Sequence, residues 1–132
     1  MEIKSTKAEE VIVIHMIGKI DFESIKTFRL LCANELVGKR VLFDFEKLSF
    51  VGSSGITYLI ESIENLHKAK ESVLGFCSLR SEFHRIFELG MLKDVPIYQD
   101  AKTGAILLQR HEKVVSTEVN TESSANPTAE VI

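Results

Sequence analysis

The chain of 132 residues has room for one core, and its 45% hydrophobic and 27% charged residues suit a globular domain rather than a disordered or collagen-like chain. Sixteen Lys and Arg against nineteen Asp and Glu leave a net charge of −3 with no basic stripe, which argues against a nucleic-acid partner. Apolar runs such as residues 11–14 fall far short of the roughly 20 needed to cross a bilayer, and the opening MEIKSTKAEE has no secretory apolar stretch, so no membrane partner and a cytoplasmic location are expected.

Two apolar periods alternate along the chain, which predicts an α/β fold with helices packed on a sheet. A weak strand at residues 2–5 is expected to form a hairpin with a well-buried strand at 11–17, closed by Gly18. Ile25, Phe28, Cys32 and Leu36 share the face of a helix over 25–36, with Gly38 as its stop. Residues 41–45, VLFDF, form the next strand. A turn of small residues, Gly52-Ser53-Ser54-Gly55, leads into a helix with Ile56, Leu59, Ile60, Ile63 and Leu66 on one side and Thr57, Glu61, Asn65 and Lys68 on the other. A strand at 72–77 follows, then a short helix over 80–89 with Leu79, Phe83, Ile86 and Phe87 inward and Gly90 after its end. Residues 96–98 suit an edge strand, where Pro is tolerated, and Asp100 is placed to cap a last helix through Leu108. From Lys113 onward large apolar residues are almost lacking, so the expected organisation is one domain over residues 1–112 and a flexible tail over 113–132.

Most chemistry is excluded by spacing. Cys32 and Cys77 lack C-x-x-C spacing and read as buried thiols. His15, His67, His84 and His111 fall in different elements without the intervals that metal sites use, so no metal and no cofactor are expected. The glycines around Ser53 fit neither a P-loop nor a nucleophile elbow, since Ile56 stands where the elbow needs its second glycine. Asp44 lacks the acidic partners of a receiver phosphoaspartate and reads as a charge pointing off one face of its strand. Ser53 and Ser54 stand out because they precede the strongest helix. The first amides of a helix have no intrahelical partner and carry partial positive charge. One of these serines can cap the helix, and a hydroxyl displayed there can also accept a phosphoryl group.

The segment LFDFEKLSFVGSSGI, residues 42–56, resembles the signature of STAS domains, the bacterial anti-sigma factor antagonists: an apolar strand, a polar turn, then Asp-Ser-Ser-Gly-Leu or close to it. Gly18-Lys19-Ile20-Asp21 is similar to the family's Gly-x-Leu-Asp, and residues 83–92 to its Leu-Phe-x-x-x-Gly-Leu. The resemblance covers residues 8–110. It implies a small mixed β-sheet of four to five strands with about four helices packed mainly on one side, no catalysis, and regulation by partner switching. The implied partner is an anti-sigma factor that is also a serine protein kinase. The implied phosphoacceptor is Ser53, with Ser54 and Thr57 as lesser candidates, and Asp21 helps define the site. Gly52 departs from the family pattern, standing where the signature aspartate belongs. The expected partner surface comprises Ile20, Asp21, Phe22, Gly52, Ser53, Ser54, Gly55, Thr57 and Glu61. Two rival readings use the same fold: a small-ligand or nucleotide binder with its anion site at the helix N-terminus, and a scaffold subunit of a signalling assembly.

Overall fold

A computed structural model describes residues 1–49, 53–69, 71–88 and 90–111. The expected tail at 113–132 lies outside them, as do Phe50, Val51, Gly52 and Leu89 and the side chains of Ser53, Ser54 and Ile86. The elements run in chain order β1 (Glu2–Ala8), β2 (Val11–Lys19), α1 (Phe22–Asn34), β3 (Arg40–Ser49), α2 (Ser53–Lys68), β4 (Val73–Cys77), α3 (Ser81–Phe87), a single 3-10 turn (Gly90–Leu92), β5 (Ile97–Tyr98) and α4 (Ala101–Leu108). The five strands lie in one sheet in sequence order. β1 pairs antiparallel with β2, as the hairpin reading expects but three residues longer, and β2, β3, β4 and β5 are mutually parallel. This is the mixed sheet with four helices that the resemblance implied.

The strand order places the helices. Right-handed crossovers between successive parallel strands bring α1, α2 and α3 to one face. There Ile14, Met16, Phe43, Phe45 and Phe76 of the sheet meet Ile25 and Phe28 of α1, Leu59 and Ile63 of α2, and Phe83 and Phe87 of α3. Phe45 and Phe76 link the aromatic rings: Phe76 has ring centroids 4.6 Å from Phe87, 5.6 Å from Phe45 and 6.3 Å from Phe43, and Phe45 lies 5.5 Å from both Phe83 and Phe87. On the opposite face Ala105 and Leu108 of α4 cover Val11, Val13, Leu42, Val73 and Cys77. Asp100 caps α4 as expected, its Oδ1 accepting the Thr103 amide at 2.7 Å.

Four local expectations need correction. The first large helix begins at Phe22, so Phe22 is its first residue rather than part of a loop, and it ends at Asn34; Leu36 is buried beyond its end. Its early start follows from Asp21, whose carboxylate accepts the Ser24 amide at 2.8 Å while the Ser24 hydroxyl receives the Asp21 amide, a reciprocal cap. β3 does not stop at Phe45 for a polar turn but continues through Glu46, Lys47, Leu48 and Ser49, paired with β2 as far as Lys19. Asp44 is not a charge leaving the surface: it is buried and its Oδ2 lies 2.8 Å from His15 Nδ1. Finally, α2 starts at Ser53, so Ser53, Ser54 and Gly55 are helical rather than part of a turn. Gly55 serves close packing rather than a turn.

Candidate functional site

The site grows from two neighbouring strand ends. In the parallel pair β2 and β3, Lys19 lies opposite Ser49, so the carboxyl ends of the strands sit side by side. β2 leads into α1 and β3 into α2, so the two helices begin at the same end of the sheet. In open α/β sheets this end is where partners and ligands are met.

Ile20 joins the two helix starts. A Cβ built on Gly55 would lie 2.7 Å from Ile20 Cγ2, inside any contact that real side chains make. Only a residue without a side chain lets Ile20 lie on the first turn of α2. Ile20 and Gly55 are both half-buried, and Phe22, two residues after Ile20, projects into solvent with 76% of its surface exposed. Ile56 is buried, whereas Thr57, Tyr58 and Glu61 line the exposed side of α2. The Arg29 guanidinium of α1 stands 6.0 Å from the Tyr58 ring centre, bridging the two helices beside the site.

Asp21 is the charged group best defined here. The chain's terminal ammonium at Met1 lies 2.7 Å from its Oδ2, and the amide and hydroxyl of Ser24 supply further donors. The ammonium first, then Ser24, hold the carboxyl well below the usual aspartate range. It is therefore an anion at any physiological pH. Arg80, at the start of α3, donates to the Leu48 carbonyl and so ties the end of β3 to the α3 side of the core.

The structure thus brings Ile20 onto Gly55 at the beginning of α2, with Asp21 and Phe22 following Ile20 into α1, Thr57 on the exposed side of the first turns of α2 and Glu61 two turns along the same helix. The hydroxyls of Ser53 and Ser54, and Gly52, lie outside the described residues. Sequence reasoning did not bring in Arg29, Tyr58 or Arg80. Their partners are 29, 29 and 32 residues away or simply on another helix, and no spacing rule carries such a contact. Among the described residues no group of three or more His, Cys, Asp or Glu is placed to hold a metal ion, and no helix is long and apolar enough to cross a membrane.

The sequence profile of STAS domains matches residues 2–104. The chain belongs to the STAS domain family. The matched span takes in β1, which the motifs alone had left out by starting at residue 8. No curated protein sequence matches the chain. Solved structures agree with the STAS fold. The anti-sigma factor antagonist SpoIIAA in its unphosphorylated form superposes with a TM-score of 0.62 at 22% identity, over 83% of this chain and 98% of that one. The Bacillus cell fate determinant SpoIIAA in the phosphorylated form gives 0.64 at 19% identity, over 83% and 100%. An anti-sigma factor antagonist from Mycobacterium paratuberculosis gives 0.61 at 20% identity, over 82% and 93%.

Proposed function

We propose that this STAS domain is a non-enzymatic signalling module that antagonises an anti-sigma factor by partner switching, with Ser53 as its phosphoacceptor. The observation that carries the reading is the meeting of two helix starts: Asp21 and the exposed Phe22 at the head of α1 stand beside the head of α2, where Ser53 begins the helix. Phe22 offers an apolar anchor of the kind that protein partners desolvate. The first amides of a helix have no intrahelical partner and favour an anion, so a phosphoryl group at the head of α2 would not require the fold to change. The contact surface in this reading comprises Ile20, Asp21 and Phe22, residues 52–55, and Thr57 and Glu61. The partner is an anti-sigma factor that is also a serine kinase, the compartment is the cytoplasm, and residues 113–132 are a tail outside the domain. The structurally similar SpoIIAA proteins, named as an antagonist in unphosphorylated and phosphorylated forms, support the reading by likeness of fold.

Electrostatics is strong enough for the switch. Phosphorylation adds about −1.5 to −2 charges. Against an acidic group on the partner about 6 Å away, at an effective dielectric of about 20 to 40, each added unit costs about 1.5 to 3 kcal/mol. Because about 1.4 kcal/mol is tenfold in affinity, one modification weakens binding by about one to four decades. The helix dipole, at about 0.3 to 1 kcal/mol, is too weak to reverse that.

The test is a pull-down from the native cell with mass spectrometry of both the captured kinase and the serines, followed by calorimetric titration of the purified pair. Ser53→Ala should bind like wild type and Ser53→Asp should bind at least about tenfold more weakly. Equal affinities would remove the switch, and phosphate found on Ser54 or Thr57 alone would move the acceptor.

A further inference from the structure

The His15–Asp44 pair in the sheet has no part in the site described above, yet Asp44 sits on the strand that leads there. Asp44 is 6% exposed at the centre of β3, with His15 of β2 opposite on one side and Cys77 of β4 on the other. Its two oxygens are divided. Oδ2 takes His15 Nδ1 at 2.8 Å, and Oδ1 accepts the Glu46 amide, two residues along the same strand, at 3.0 Å. The far ring nitrogen of His15, Nε2, is 3.1 Å from Thr6 Oγ1 on the edge strand β1. A single polar chain therefore crosses three strands.

It crosses them where the ladder is irregular. Between the pairs His15–Asp44 and Ile17–Lys47, β2 advances two residues while β3 advances three, the signature of a bulge in β3. A bulge leaves an amide without its ladder partner, and an unpaired amide inside a sheet is costly. The Glu46 amide finds the Asp44 carboxylate instead. The bulge also shifts the alternation of side chains. Phe45 and Leu48 are three residues apart and in a regular strand would point to opposite faces. Both are fully buried in the core beneath α1, α2 and α3.

We infer that His15 and Asp44 are positioning residues: they hold the β3 bulge, which turns Leu48 into the core and sets the direction in which the strand leaves toward Ser53. Asp44 acts directly, through the Glu46 amide, and His15 acts through Asp44 by fixing the rotamer that reaches it. Thr6 completes the set by fixing the imidazole. This face also carries Lys4, opposite His15 on β1, Arg40, which donates to the Leu108 carbonyl, Tyr98, and the Cys77 thiol, which burial first and the Asp44 charge second push up to about 12. That thiol stays neutral, and a side-chain hydrogen bond to Asp44 adds to the upward push. The consequence for Ser53 rests on the partner-switching reading, whereas the geometry of the bulge does not.

The test measures residue-resolved amide hydrogen exchange and amide chemical shifts of the full chain in three variants. Asp44→Asn keeps an acceptor of the same reach and should retain Glu46 protection. Asp44→Leu removes it, so Glu46 should exchange at least about tenfold faster, the size of one lost hydrogen bond, with shift changes concentrated at residues 46–56. His15→Gln should give an intermediate loss with the same localisation, and it carries the test if Asp44→Leu does not fold. Changes spread evenly over the sheet, or Asp44→Asn behaving like Asp44→Leu, would overturn the inference and leave a simple stabilising pair. Because exchange is read without a partner, these results stand or fall separately from the Ser53→Asp titration.

Discussion

Gly55 shows how one missing side chain arranges a site. Replacing a helical glycine by alanine ordinarily stabilises a helix by up to about 1 kcal/mol. Here the new Cβ would meet Ile20 Cγ2 at 2.7 Å, and overpacking of that kind costs about 1–3 kcal/mol. The clash outweighs the propensity, so Gly55→Ala is expected to destabilise the domain in urea denaturation. In an Ile20→Ala background the obstructing branch is absent, and the same substitution should become neutral or stabilising. A double-mutant cycle without that reversal would show that the two helix starts are not held together by this contact. The small residue in GSSG reads in the sequence as a turn former. The structure makes it a helical residue, because what decides is the approach of Ile20 from another element.

At the scale of elements, the helices were the most legible part of the chain. The stripe Ile56, Leu59, Ile60, Ile63 and Leu66 falls on one side of α2, with Ile56, Leu59, Ile63 and Leu66 buried and Ile60 half-buried, as period and spacing require. Two aspartates cap helices: Asp21 for α1 and Asp100 for α4. The ammonium of Met1 followed by Ser24 lowers the first, and the Thr103 amide lowers the second. A carboxyl whose folded value lies below its ordinary 3.8 adds stability that is fully present above that value and is lost as pH falls through the folded one. The domain should therefore weaken on the acid side, below about pH 4. Asp21→Asn and Asp100→Asn, which retain a capping oxygen without its charge, should each flatten the acid limb of the urea midpoint measured against pH. An unchanged limb would show that these caps do not titrate with folding. The strands were less legible. β3 looked finished at Phe45 because Glu46 and Lys47 are charged, but both are exposed where the bulge breaks the alternation and the strand runs on through them, and a period-2 reading has no place for an inserted residue.

For the whole molecule, a sheet covered on both faces buries one cysteine on each side: Cys32 on the inner face of α1 and Cys77 of β4 under α4. Burial pushes both thiols up to about 12, the Asp44 charge adding to the shift at Cys77. Neither is expected to react with a disulfide reagent at pH 8 in the native protein, where about one thiol in ten thousand is ionised. Both should react together as urea unfolds the domain, tracking the loss of circular dichroism. Early reaction of Cys77 alone would mean that α4 opens independently of the rest. The clamps on α4 argue against that: Arg40 donates to the Leu108 and His111 carbonyls, and the Gln109 side chain bonds the Ala8 carbonyl and the Glu10 amide at the β1–β2 turn.

The amino-acid order determined where the helices lie, which faces they bury, the hairpin at the start, the edge strand at the end and the family signature around Ser53, because periodicity, caps and turn residues act over a few positions. What only the tertiary structure decided is the junction of Ile20 with Gly55, the pairing of His15 with Asp44, the bulge that rephases β3, and α4 on the far face of the sheet. Each of these joins residues from different elements, and their proximity is set by the parallel register of the strands. Local sequence rules do not encode that register.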